Sequence, residues 1–325
     1  MKVIYGINKI RRFRKPVVAL GVFDGVHRGH LRILKAAADK AKRIKGTSTV
    51  VTFFPHPQKE KSLYSLEHRL KLIRALGIGV CIVIKFTKAF SRISAEDFVK
   101  DVLADKIGAR YVYVGRNFRF GRQAQGGFRI LNKLSHLYNF KLKVFDIIKI
   151  NGHSVSSTYI RKLITEGKLS LAQKLLSRPV SILGTVIKGS SLAARLGFPT
   201  ANIDPHHEVL PPSGIYAISA IFNDNKFKGA CYIGARPTFS RQNGTPLFTP
   251  KGGIPPRREA GQSRGQIHIE AHIFNFHKNI YGEYLEIRFI KKIRDERKFR
   301  SAESLVRQIS KDINLAKKIS LRHTF

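Results

Sequence analysis

The chain has 325 residues, 43% of them apolar, the length of about two ordinary domains, and no apolar run reaches the roughly 18–20 residues of a membrane span. Its two cysteines, Cys81 and Cys231, lie far apart in apolar, strand-like runs, which excludes a disulfide scaffold and fits buried thiols in a reducing cytoplasm. Sixty Lys and Arg against 21 Asp and Glu give a net charge of +39. That field attracts polyanions, but the basic residues are spread along the chain without an RNP-like aromatic motif or zinc-finger spacing, so a generally basic surface is expected rather than a specific nucleic-acid partner.

The opening "MKVIYGINKIRRFRKP" has no leader-like apolar core, so a cytoplasmic location is expected. "PVVALGVF" (16–23) is a continuous apolar run, the pattern of a strand buried on both faces. Residues 30–44 carry Leu31, Leu34, Ala38 and Ala41 at helical spacing. A β-branched and aromatic strand (48–54), a helix closed by Gly77 (65–77) and a strand (80–86) follow. Next come a helix with Ser94 as N-cap and Gly108 as stop, and a strand at 110–115. This alternation predicts an α/β domain with a Rossmann-like parallel sheet, whose ligands bind beyond the carboxyl ends of the strands.

After residue 178 the pattern changes to short strands broken by Gly and Pro, such as "GIYAISAIF" and "FKGACYIGA", closed by one helix (301–319) with Leu305, Ile309, Ile313 and Ala316 on one face. An all-β barrel or sandwich with a terminal helix is expected. The predicted domains are 1–178 and 179–325, and no internal repeat is apparent. Residues 240–266, rich in Gly, Pro and Arg between two strands, read as a long mobile loop, a tolerated insertion rather than a lid.

"GVFDGVHRGH" (21–30) stands where the first buried strand ends and a helix begins. Its glycines leave backbone N–H groups free, the helix start adds more together with a positive dipole end, and His27 and His30 add donors whose charge can rise near phosphate. This combination suits a polyphosphate pocket that stabilises charge during transfer. A metal pair would need a third ligand, and none lies nearby in sequence; an incidental turn is the other reading. Downstream, Ser156 or Ser157 can cap a helix ending by Gly167, with Ser157 and Arg161 four apart on one face, a hydroxyl and a guanidinium aimed at one anion.

The stretch resembles the HxGH motif of the nucleotidyltransferase superfamily. With "FFPHP" (53–57), "VGRNFRFG" (114–121) and "SSTYIR" (156–161) in that order, the chain resembles the bacterial bifunctional riboflavin kinase/FMN adenylyltransferases, the FAD synthetase family. The resemblance implies that FMN phosphate attacks the α-phosphorus of ATP and releases pyrophosphate. It implies His27 and His30 as catalytic, and Gly21, Phe23, Gly25, Gly29, Asn117, Ser157, Thr158 and Arg161 as binding residues. His56 could serve simply as a turn residue after Pro55.

In the second half, Thr200 and Asn202 of "PTAN" are two apart, so in extended chain they point to one side. Their hard oxygens suit Mg²⁺, although a simple loop explains them equally well. His268, Glu270 and His272 share one strand face, opposite Ile269, Ala271 and Ile273. "PTAN", "PPSGIYA", "YIGARPTF" and "IEAHIFNF" resemble riboflavin kinase motifs. That resemblance implies Thr200 and Asn202 as metal ligands, Gly189 as part of the phosphate-binding stretch, and Glu270 as the base that takes the ribityl hydroxyl proton as it attacks the γ-phosphorus of ATP. Ala193 and Ala194 stand where the family often has Gly and Arg, and Asn275 where Asp is frequent.

The reading is therefore a two-domain enzyme making FMN from riboflavin and FAD from FMN, using ATP and Mg²⁺, as a monomer or weak homo-oligomer. The alternatives are an enzyme with one active half, or a basic nucleic-acid-binding protein on the same fold.

Overall fold

The computed structural model describes residues 1–57, 62–189, 192–234 and 267–322. The 240–266 segment lies outside these residues. The chain divides into two compact units: the first comprises Met1–Lys162, Leu171–Arg178 and His207–Val209, the second Leu163–Ser170, Pro179–His206 and Leu210–Phe325.

The first unit is built on six parallel strands: β1 (Lys2–Tyr5), β2 (Val17–Leu20), β3 (Ser48–Phe54), β4 (Val80–Lys85), β5 (Tyr111–Gly115) and β6 (Lys141–Phe145), in the spatial order β1-β4-β3-β2-β5-β6. The helices are α1 (Arg28–Arg43), α2 (Leu66–Arg74), and α3 (Ala95–Asp97), which continues as a π-helix over Phe98–Ile107. Then come α4 (Phe128–Leu137), α5 (Ser157–Thr165) and α6 (Leu169–Leu176). Every residue of β2 is buried, because both sheet faces are covered. Val17 and Ala19 pack with Ile33, Leu34 and Ala37 of α1, while Val18 and Leu20 pack with Val99, Val102 and Leu103 of the π-helix. The buried stripe of α1 is Ile33, Leu34, Ala37 and Ala41, whereas Leu31 and Ala38 pack only partly buried at its margin. Ser94 caps α3 by accepting from the Asp97 N–H, and Gly108 ends the π-helix in the left-handed region, φ 70°, as its sequence pattern predicts.

Two short strands, β7 (Lys149–Ile150) and β8 (His153–Ser154), form a hairpin ahead of α5. The second unit is a closed barrel of β9 (Ser181–Ile187), β10 (Ala201–Asp204), β11 (Gly214–Phe222), β12 (Asn225–Gly234), β13 (His268–Ile273) and β14 (Tyr284–Arg294), in the order β10-β13-β12-β11-β14-β9 with antiparallel neighbours. A single turn, α7 (Leu192–Arg195), precedes β10, and α8 (Ala302–Arg322) lays Leu305, Ile313 and Ala316 against the barrel, with Ala316 packing on Ala217 and Ala230. Arg294 of β14 ties α8 down through Asp312, with guanidinium nitrogens 2.8 and 3.0 Å from the carboxylate. Barrel closure removes the unpaired strand edges that an open sheet would expose. Cys81 and Cys231 are both buried free thiols, and burial pushes the Cys81 thiol up to about 12.

Candidate functional site

In the sheet of the first unit, strand order reverses between β2 and β5, which places a crevice at their carboxyl ends. The turn after β2 is "GVFDGVHRGH", and Asn117 follows β5 two residues past Gly115. A cavity of about 770 Å³ opens there, a volume suited to a nucleotide with a second small molecule. Gly21, Phe23, His27, Gly29, His30, Asn117, Ser157, Thr158 and Arg161 all line it, and His56 does too. Gly25 does not: its φ of +76° sets the turn, and an added Cβ there would strike the Leu63 side chain.

His27 is the N-cap of α1, its Nδ1 accepting from the His30 N–H at 3.4 Å. The two imidazoles stack with centroids 3.6 Å apart and 16° between planes, and Phe23 packs edge-on to His30. Burial, with the nearby Arg178 guanidinium, pushes His27 down to about 3. His30 is held well below its usual range by burial first, then by His27, Arg178 and Arg69. Both imidazoles are thus neutral at pH 7. His30 Nδ1 is buried and, among the described residues, has no hydrogen-bond partner.

Asp24 organises the surroundings. Its carboxylate accepts from the Leu63 and Tyr64 N–H groups at 2.9 and 3.2 Å and lies 3.4 Å from the Arg161 guanidinium. Its backbone carbonyl accepts from the Ser157 hydroxyl at 2.9 Å, and Ser156 caps α5 by accepting from the Tyr159 N–H. Ser156 is therefore the helix cap, while Ser157 joins α5 to the HxGH turn. Arg69 of α2, buried, donates to the Val22 carbonyl at 2.6 Å. The far wall of the cavity is apolar and aromatic, with Phe53, Phe86, Phe90, Phe98, Phe118 and Phe120. Sequence reading missed Arg69 and the role of Asp24, which lay inside the quoted motif; Phe53, Phe118 and Phe120 of the wall also lay in quoted motifs, whereas Phe86, Phe90 and Phe98 did not.

In the barrel, Asn202 of β10 is directly opposite Glu270 of β13, which is in turn opposite Tyr232 of β12. Residues paired in this way present their side chains on one face. Glu270 lies on the partly exposed side of β13, while Ile269, Ala271 and Ile273 are buried. The Thr200 hydroxyl donates to Glu270 Oε2 at 3.4 Å. Gly189 lies so close to the Asn202 amide that a Cβ could not be accommodated without displacing it. Gly189, Thr200, Asn202 and Glu270 thus converge. A second cavity, of about 290 Å³, adjoins them: Thr200 lines it with Val186, Ile280 and Tyr281, whereas Gly189, Asn202 and Glu270 do not. Tyr232 is hydrogen-bonded to Glu296, and burial, with that bond, raises its hydroxyl pKa. Among the described residues no cluster of three or more His, Cys, Asp and Glu could hold a metal, so the His27–His30 pair has no third such ligand. No described helix is long and apolar enough to cross a membrane.

A parallel α/β sheet with histidines at its switch point is joined in one chain to a closed barrel carrying an oxygen-rich strand cluster, and each part matches a known family. The FAD synthetase family matches residues 9–159 and the riboflavin kinase family residues 176–320. Three bifunctional riboflavin kinase/FMN adenylyltransferases are similar over nearly their whole length. The protein of Buchnera aphidicola from Schizaphis graminum is 35% identical, with 98% of each chain covered; that of Haemophilus influenzae is 31% identical, with 98% of each covered; that of Escherichia coli K12 is 29% identical, with 96% of each covered. A solved structure described as a macrolide-efflux protein from Streptococcus pneumoniae shares the fold, with a TM-score of 0.77, 23% identity, and 98% of this chain and 99% of that one covered. The chain belongs to the bifunctional riboflavin kinase/FMN adenylyltransferase family, enzymes of flavin cofactor synthesis that combine a kinase with a nucleotidyltransferase.

Proposed function

We propose that residues 1–178 carry out adenylyl transfer to FMN and residues 179–325 the phosphorylation of riboflavin. The observation that carries the first assignment is the convergence of His27, His30, Asn117, Ser157, Thr158 and Arg161 on one cavity at the sheet switch point. Adenylyl transfer moves an AMP unit from ATP to the FMN phosphate, forming one P–O–P linkage and breaking another, with pyrophosphate leaving. The negative charge that builds on the phosphate oxygens needs donors already in place. The α1 N-terminus, the two imidazoles and Arg161 supply them, and His30 Nδ1, buried without a partner among the described residues, is a polar atom that a phosphate oxygen would satisfy. The aromatic wall suits a flat ring system stacked away from water.

For the kinase reaction, Glu270 is proposed as the base that accepts the ribityl hydroxyl proton. Its 3.4 Å contact with Thr200 and its register with Asn202 support this role. Thr200 Oγ1, the Asn202 amide oxygen and a neighbouring carboxylate form a hard-oxygen donor set that fits Mg²⁺. When bound, the ion would neutralise phosphate charge; Thr200 and Asn202 would hold it, and Gly189 keeps the backbone close beside Asn202. Incubation of the full chain with riboflavin, ATP and Mg²⁺, followed by chromatography of the flavins, tests the reading. FMN should appear first and FAD after it; a chain that makes neither, or stops at FMN, contradicts it.

A further inference from the structure

Arg178 is the last residue of the stretch Leu171–Arg178 in the first compact unit, two residues past the end of α6. It does not line the cavity. Its guanidinium instead reaches the back of the HxGH turn. Nη1 donates to the Val26 carbonyl at 2.9 Å and to the Leu176 carbonyl at 3.1 Å, and Nη2 donates to the Gly25 carbonyl. The group also lies 5.2 Å above the Tyr64 ring, a cation–π contact.

The two loop carbonyls it holds belong to residues in the left-handed region, Gly25 at φ 76° and Val26 at φ 39°. For a β-branched valine that conformation is strained and persists only when the surroundings over-determine it. Val26 immediately precedes His27, the N-cap of α1, so any relaxation of this turn rotates the first imidazole and carries the stacked second one with it. A planar fork that binds adjacent carbonyls fixes the turn in a way a point charge does not.

We propose that Arg178 is a positioning residue for adenylyl transfer: its guanidinium grips the Gly25–Val26 turn from behind and thereby aims His27 and His30 at the phosphates. The inference rests on the adenylyl-transfer reading of the cavity. Arg178 also acts electrostatically. The charged side chains that act on the two imidazoles are Arg69 on α2 and Arg178 after α6; Asp24 on the same loop meets His30 through its backbone and pairs its carboxylate with Arg161 of α5. Of these, Arg178 is the charged neighbour that lowers His27.

The experiment compares the full-length wild type, Arg178→Met and Arg178→Lys. It measures kcat and KM for FMN adenylylation across pH, riboflavin phosphorylation, and thermal unfolding. Arg178→Met should lower adenylylation kcat by on the order of 10- to 100-fold, the usual consequence of misplaced catalytic groups, and should shift the limb of the profile on which the imidazoles titrate to higher pH. Riboflavin phosphorylation should be unchanged. Arg178→Lys retains a charge, so its imidazole limb should stay with the wild type while its kcat falls, because the fork is lost. Unchanged adenylylation kcat and pH profile in Arg178→Met overturn the proposal. So does an equal fall in both activities that follows loss of thermal stability in both variants, which marks a general structural role. A wild type that makes no FAD at all instead refutes the reading of the cavity.

Discussion

The imidazoles of His27 and His30 stack 3.6 Å apart at the start of α1, His27 buried and His30 partly buried. Two rings so close and so buried resist protonation, and burial outweighs every other influence on both. His27 moves from 6.5 in the unfolded chain to about 3 in the folded one, so below pH 6.5 the unfolded state binds a proton that the folded state does not. Its contribution to stability is present above that pH and is lost as pH falls below it. His27 alone should make the first unit less stable by about 2 kcal/mol at pH 5 relative to pH 7, and His27→Gln should make the acid dependence shallower in urea unfolding. An equally steep acid loss in the variant would contradict it.

The same pair bears on binding. Phosphate brings negative charge to neutral imidazoles and raises their affinity for protons. ATP binding should therefore take up protons near pH 6, seen by calorimetry in two buffers of different ionisation enthalpy, and His30→Ala should reduce the uptake. Identical heats in both buffers would argue against contact between the phosphates and these rings.

Gly189 tests the other unit. A Cβ at this position collides with the Asn202 amide, which faces Glu270 across the β10–β13 pair. Gly189→Ala should raise the KM for Mg²⁺-ATP in riboflavin phosphorylation and leave FMN adenylylation at the wild-type rate. Unaltered kinase kinetics would show that Asn202 is not a ligand there.

Glu208 follows β10 in sequence, yet His207–Val209 is part of the first compact unit. Its side chain is fully buried; the carboxylate accepts from the Ser65 N–H at 2.8 Å and lies 3.1 Å from Nδ1 of the fully buried His68. Glu208→Ala removes that acceptor at the N-terminus of α2 and should cost about 1–3 kcal/mol of stability. Glu208→Gln, which keeps an acceptor oxygen, should cost less. Thermal unfolding of the two variants checks the order, and equal stability in both would contradict it.

β2 and β4 were legible as nearly continuous apolar runs, and β3 and β5, the latter beside β2 at the switch point, as β-branched and aromatic stretches. β1 and β6 were not, because they are the sheet's edge strands with a single fully buried residue each, which leaves little apolar signal. His27, His30, Ser157 and Arg161 could be read from motifs because their neighbours in sequence are also their neighbours in space. Arg178 and Glu208 gave no such signal: they reach the turn and α2 from 153 and 143 residues away. Chain order also hid the protonation state. The sequence suggested imidazoles ready to be charged, and only the depth of their burial shows that they begin neutral.

The central claim is that the two reactions reside in separate clusters of this chain, and reciprocal single substitutions test it most directly. With purified full-length variants and separated flavin products, Glu270→Ala should lose FMN formation from riboflavin while still converting supplied FMN to FAD, and His30→Ala should do the reverse. Full kinase activity in the first variant, or undiminished FAD formation in the second, would contradict the account.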